Sequence, residues 1–178
     1  ETGLDVAKVA HLMIASRGNH SQIESFIRNA VSKGRGETSL ALLASLAEKD
    51  LRDTPAAVLG DHLYNTPEGA DVAKVLCPRV GTELLTEYRE YMQNNIPQSL
   101  ADSVKTDPAL FVNWCKSNLN QLDSISLRYV QLDPVRVWET RLSDKESREI
   151  FFVAVCRSFG VPAWKDTVTG ALKYEKDG

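Results

Sequence analysis

The feature that most constrains this chain is a run of seven apolar residues, Ile150-Phe151-Phe152-Val153-Ala154-Val155-Cys156, set between a helix-start and a helix-stop signal. Before it stands Ser143-Asp144-Lys145-Glu146, a cap followed by a first turn with acids near the positive end of the helix dipole. Ser143 with Glu146 three residues on fits a capping box. After the run come Phe159-Gly160 and then Pro162, residues that end a helix. A helix that is apolar all the way round has no face to give to water. It must be wrapped by other elements, and the rest of the chain is expected to supply them. The run falls far short of the ~20 residues needed to cross a bilayer, so no transmembrane segment is expected.

The wrapping elements read as helix after helix. Val6, Val9, Ala10, Met13 and Ile14 recur at three- and four-residue steps, one face of a helix over residues 6–16. His20-Ser21 opens a second, with Ile23, Phe26, Ile27 and Val31 on its buried stripe and Gly34 and Gly36 ending it. Ser39 is expected to cap a third over residues 40–46, closed by residues 48–53. Thr54-Pro55 and Thr66-Pro67-Glu68 both carry the Pro-at-helix-start signal. Residues 83–92 read as another helix, stopped near Asn94-Asn95-Ile96-Pro97. Asp107-Pro108 opens one with Leu110, Phe111, Trp114, Cys115 and Leu119, and Asp133-Pro134 a shorter one with Val135, Val137 and Trp138. No strand-like alternation precedes Ser143. Residues 163–166 and 172–174 then flank Thr169-Gly170, which reads as a small β-hairpin. The expected fold is mainly α: a multi-helix region over residues 1–142, then a buried helix and a hairpin over 143–178. The chain of 178 residues is long enough to bury roughly 70% of its unfolded surface without disulfides or metal. A lone hairpin is marginal in water, and the sequence opens on Glu1-Thr2-Gly3 with neither Met nor leader, so the chain reads as a piece of a longer one.

Composition excludes more than it assigns. Lys and Arg total 21 against 24 Asp and Glu, a formal net charge of −3. A dedicated nucleic-acid binder carries a basic excess to neutralise phosphates, so no nucleic-acid partner is expected. Cys77, Cys115 and Cys156 cannot all pair within one chain, and their spacing fits no zinc site. All three read as reduced core thiols. His11, His20 and His62 are scattered with no HxxxH or HExxH pairing, so neither metal nor cofactor is expected. His20 beside Asn19 reads as part of a helix start, and His62 with Asp61 as a surface pair. Glu87, Tyr88, Arg89, Glu90 and Tyr91 read as a solvated helix face, with a partner-binding strip as the alternative. Lys145, Glu146, Arg148 and Glu149 mix both signs on one helix surface, and Trp138 and Trp164 read as core packing.

Arg157, Gly160, Val161, Pro162 and Ala163, following an apolar helix and preceding a hairpin, resemble the core signature of the transglutaminase-like superfamily. Trp164 stands where that signature usually has a second Arg. The sharp match covers residues 143–175. Gly18-Asn19-His20, Leu43 to Leu46 with Glu48-Lys49-Asp50-Leu51, and Pro134 to Trp138 are loosely similar to the helical N-terminal region of large bacterial members. The resemblance implies the start of a papain-like α+β core and a cell-envelope or secreted bacterial setting. It also implies a Cys nucleophile at the start of the buried helix, activated by a His and an Asp from later strands. A helix N-terminus favours the thiolate. Counting back from Gly160 places that nucleophile position at Lys145. The weak substitute on the same helix is Cys156, and no His follows His62. Two expectations follow. One is a non-catalytic scaffold or binding unit for a protein, peptide or glycan. The other is a thiol acyl-transferase or peptidase whose nucleophile is Cys156 and whose His and Asp lie beyond residue 178.

Overall fold

The structure, a computed structural model, describes residues 3–122 and 131–176. The fold is mainly α, with 61% of the described residues in helices against 6% in strands. Among the described residues ten α-helices run in order: α1 Val6–Ser16, α2 His20–Ser32, α3 Gly36–Ala44, α4 Glu48–Asp53, α5 Ala56–Tyr64, α6 Arg89–Asn95, α7 Gln98–Thr106, α8 Pro108–Asn118, α9 Pro134–Thr140 and α10 Lys145–Ser158. A π turn, Val72–Leu76, follows α5. β1 Asn120–Gln121 and β2 Leu142–Ser143 form a short parallel pair. β3 Ala163–Lys165 and β4 Leu172–Tyr174 form the expected antiparallel hairpin.

Helices with local caps start where the sequence places them. Asp5 accepts from the backbone of Ala7 and Lys8, Asp107 from Ala109, and Asp133 from Arg136. Elsewhere the boundaries differ for identifiable reasons. Gly36 begins α3 rather than ending α2. Its hydrogen side lies against Leu4 and Val31, where a Cβ would collide, so the glycine allows a close approach. Ser39 is therefore inside α3, its Oγ donating to Gly36 O at 2.6 Å. Thr66-Pro67 starts no α-helix; Asp71 caps the π turn instead. Residues 83–88 are not helical, because the Glu83 carboxylate turns back to accept from the amides of Val80 and Gly81. Pro97 both ends α6 and caps α7, a helix the sequence reading passes over.

The packing forms two apolar clusters. The first takes Ile23, Phe26, Leu42, Leu43, Leu59 and Leu63 from α2, α3 and α5, and ends with Leu85. The second begins at Tyr88 and gathers Met92, Val104, Phe111 and Val137 around α10. Every residue of α10 from Ile150 to Ser158 is buried, so this helix is the axis of the second cluster. The packing thus changes over between Leu85 and Tyr88. A helix apolar on all sides recruits the preceding helices into its core, and α10 packs with residues of 88–137.

Candidate functional site

The first turn of α10 is the position at which the resemblance implies chemistry. Ser143 is buried in β2, paired with Gln121, and the cap is Asp144, which accepts from Ser147 N at 2.7 Å. Lys145 is the first helical residue, its side chain 81% exposed and 4.0 Å from Glu149. Glu149 is held in turn by Lys165 of β3 at 2.8 Å. Glu146 accepts from Thr82 Oγ1 at 3.2 Å and from Gln131 Nε2 at 3.3 Å. Ser147 Oγ accepts from Leu132 N at 2.9 Å. The polar side chains of this turn are therefore used to tie α10 to residue 82, residues 131–132 and β3.

Cys156 lies eleven positions after Lys145, about 17 Å along the helix axis. It is fully buried, and burial together with nearby Cys115 pushes its thiol well above the ordinary range. Cys115 on α8 is also buried, and desolvation pushes it up to about 12. Cys77 is buried too. A thiol held in its neutral form is a poor nucleophile. His11 and His20 are exposed on α1 and α2, and His62 is buried on α5 with its ring 4.6 Å from that of Tyr88. Among the described residues no group of His, Cys, Asp and Glu is arranged to hold a metal ion.

The signature residues have clear structural work. Arg157 is 2% exposed. Its Nε donates to Ala163 O at 2.8 Å, and its Nη1 donates to Cys77 O at 2.6 Å and Arg79 O at 2.9 Å. One guanidinium thereby locks the end of α10 to β3 and to the segment after the π turn. Gly160 has φ +79°, a left-handed turn that glycine adopts without strain, and Val161 N closes it on Cys156 O at 2.9 Å. Trp164 lies beneath the Lys74 ammonium, 4.7 Å from its ring centre. Trp138 stacks on Trp114 and carries Arg141 at 3.7 Å on its ring.

Beside Arg157 sits a second buried arginine that sequence reading placed on a solvated face. Arg89 is 0% exposed and Tyr88 4%. Arg89 Nε donates to His62 Nδ1 at 2.9 Å, Nη1 to Thr66 Oγ1 at 2.5 Å, and Nη2 to Leu76 O at 3.0 Å and to Val75 O. Nη1 also reaches Arg157 O at 3.3 Å. His62 Nε2 lies 3.0 Å from Thr86 O. With Nδ1 accepting, the ring is assigned as the neutral tautomer with its proton on Nε2. Burial, then the adjacent Arg89 charge, hold His62 well below its ordinary range. The expected Asp61–His62 surface pair is thus replaced. Asp61 turns the other way and accepts from the amides of Tyr88, Arg89 and Glu90 at 2.8–3.0 Å. No local signal marks this cluster, since its partners lie up to 68 positions apart.

Two grooves are notable. One of about 470 Å³ runs between α2 and α5, where Tyr64 donates to Asn29 and Lys33 covers the Tyr64 ring. A smaller one of about 190 Å³ lies between α8, α10 and β4. No helix among the described residues is long and apolar enough to cross a membrane. Compared with protein-family models, curated proteins and solved structures, the chain finds no significant match in any of the three.

Proposed function

We propose that this chain is part of a transglutaminase-like protein that works as a non-catalytic scaffold or binding unit. The observation that carries the reading is the first turn of α10. Lys145 holds the place where the resemblance implies a thiol, and the one Cys on that helix, Cys156, is buried three turns away with its proton retained. The residues that carry the resemblance, Arg157, Gly160 and Ala163, serve packing and hydrogen bonding here. Such a site holds its shape without attacking a carbonyl.

The test is direct. The folded protein is incubated with a glutamine-containing peptide and a fluorescent primary amine, and separately with iodoacetamide. No amine incorporation or peptide cleavage is expected, and Cys156 is expected to alkylate only after unfolding. Turnover that disappears in Cys156→Ser would overturn the proposal in favour of a thiol acyl-transferase or peptidase.

A further inference from the structure

We infer that the π turn, with Cys77 after it, is an acid-released strap: when His62 takes up a proton, Arg89 lets the turn go and the junction between the two clusters loosens. Nothing in this device involves the first turn of α10, so it stands or falls apart from the non-catalytic reading.

Arg89 stands between His62 and the strap. Its Nε donates to His62 Nδ1 at 2.9 Å, and its Nη2 donates to Leu76 O at 3.0 Å and to Val75 O. Nη1 donates to Thr66 Oγ1 at 2.5 Å and to Arg157 O at 3.3 Å. Thr66 Oγ1 in turn donates to His62 O at 2.6 Å. These acceptors are all neutral, and one of them is the lone pair of an imidazole nitrogen. The backbone of the strap closes on itself, Leu76 N on Asp71 O at 2.9 Å and Cys77 N on Val72 O at 2.8 Å. Three of its carbonyls tie it inward: Val75 O and Leu76 O to Arg89, and Cys77 O to Arg157 Nη1 at 2.6 Å.

Protonated at Nδ1, His62 has no lone pair to offer. An N–H of one cation then faces an N–H of another across 2.9 Å, and both residues are 0% exposed. Like charges repel strongly at that distance away from water. The rest of the surroundings offers no relief. Thr86 O lies 3.0 Å from Nε2, and the Tyr88 ring, its phenol kept neutral by burial, stands edge-on at 4.6 Å. Arg157 of α10 adds a further positive charge. The carboxylates near the junction are committed. Asp61, next to His62 on α5, accepts from the amides of Tyr88, Arg89 and Glu90. Glu83 accepts from the amides of Val80 and Gly81 and pairs with Arg79 at 3.6 Å. The Cys77 thiol lies 3.8 Å from Ser45 O. When Arg89 withdraws, Val75 O and Leu76 O lose their donor, and buried carbonyls without a donor are drawn to water. In the opened junction the ring titrates near ~6.5, as an exposed histidine does. Each pH unit below that favours the open form by up to roughly tenfold, until the closed form also takes the proton.

Two cysteines separate strap release from global unfolding. Cys77 belongs to the strap and packs in the first cluster, whereas Cys156 lies inside the second. The full 178-residue chain is treated with a dipyridyl disulfide, whose good leaving group keeps it reactive toward thiols in weak acid. Labelled sites are mapped by mass spectrometry. Each rate is divided by that of the urea-unfolded chain at the same pH, which removes the titration of the thiol itself. Between about pH 7.5 and about pH 5.5 the relative rate at Cys77 is expected to rise roughly tenfold, while that at Cys156 stays constant. His62→Gln is expected to remove the rise. His11→Gln with His20→Gln, at exposed positions of α1 and α2, is expected to leave it in place. The chain has three histidines, so the second variant assigns the rise to His62 even where His62→Gln fails to fold. No rise at Cys77, a rise shared by Cys156, a rise that persists in His62→Gln, or its loss in the His11 and His20 variant would each overturn the inference.

Discussion

His62 is neutral in the folded protein because both ring nitrogens are committed, Nε2–H toward Thr86 O and Nδ1 to the N–H of Arg89. Protonation would set an N–H on Nδ1 against a buried cation. Its folded pKa is depressed by burial and by Arg89, while the unfolded ring titrates near ~6.5. As pH falls below about 6.5 the unfolded state therefore takes the proton first, and stability drops by up to ~1.4 kcal/mol per pH unit until the folded pKa is reached. Urea midpoints taken at about pH 7.5 and about pH 5.5 are expected to show this loss. His62→Gln, which keeps a donor and an acceptor, is expected to flatten the part due to His62. Equal slopes for the two proteins would refute the assignment. Asp61 and His62 suggested a pair because they are adjacent in sequence. Neighbours on a helix do not face each other, so Asp61 reaches the backbone amides at the start of α6 and His62 reaches the Arg89 side chain. The core role of Cys156 was legible from its apolar neighbours alone; the shared role of Arg89 was not, because Glu87, Glu90 and their aromatic neighbours look the same in a list whether they face water or a core.

At the scale of elements, what was legible depended on where the capping group lies in the chain. Helices α1, α8 and α9 carry their own acidic caps next to their first turn, and their starts were legible. The start of α6 is set by Asp61, 27 to 29 positions earlier. Asp61→Ala is expected to strand three amides and to destabilise the protein by about 1–2 kcal/mol, read as a shift in urea midpoint without a change in slope. Asp61→Asn retains an accepting oxygen and is expected to lose less. Equal losses would show that the carboxylate acts by something other than capping. α7 is not legible in the sequence because the Asn-Asn-Ile-Pro stretch before it carries a stop signal, and a proline that ends one helix can also begin the next.

The whole molecule joins two cores through buried arginines. Arg89, on α6, binds His62, Thr66, Val75 O and Leu76 O of the first part and Arg157 O of the second, while Arg157 binds the carbonyls of Cys77, Arg79 and Ala163. Replacing Arg89 by Met leaves these acceptors without a donor and is expected to cost on the order of 3 kcal/mol. It is also expected to uncouple the two parts. Trp114 and Trp138, two of the three tryptophans, pack on the second cluster, so with Trp164→Phe as the background tryptophan fluorescence follows that cluster, while far-ultraviolet circular dichroism follows the helices of both. The two signals are expected to coincide on urea unfolding of the wild-type chain and to separate in Arg89→Met. Coincident transitions in the variant would show that apolar packing alone couples the cores.

The amino-acid sequence by itself determined that this chain is mainly helical, that the apolar run 150–156 lies in a helix buried on all sides, that a hairpin follows a glycine turn, and that the first turn of that helix holds no thiol. Those properties reside in short windows: an apolar run, a cap one to three residues away, a glycine at positive φ. The tertiary structure decided which charged residues are buried, where the two cores divide and where α6 begins. Each of these depends on partners far apart in sequence, and a polar side chain reveals nothing of its burial until the carbonyl or carboxylate that satisfies it has been brought to it by the fold.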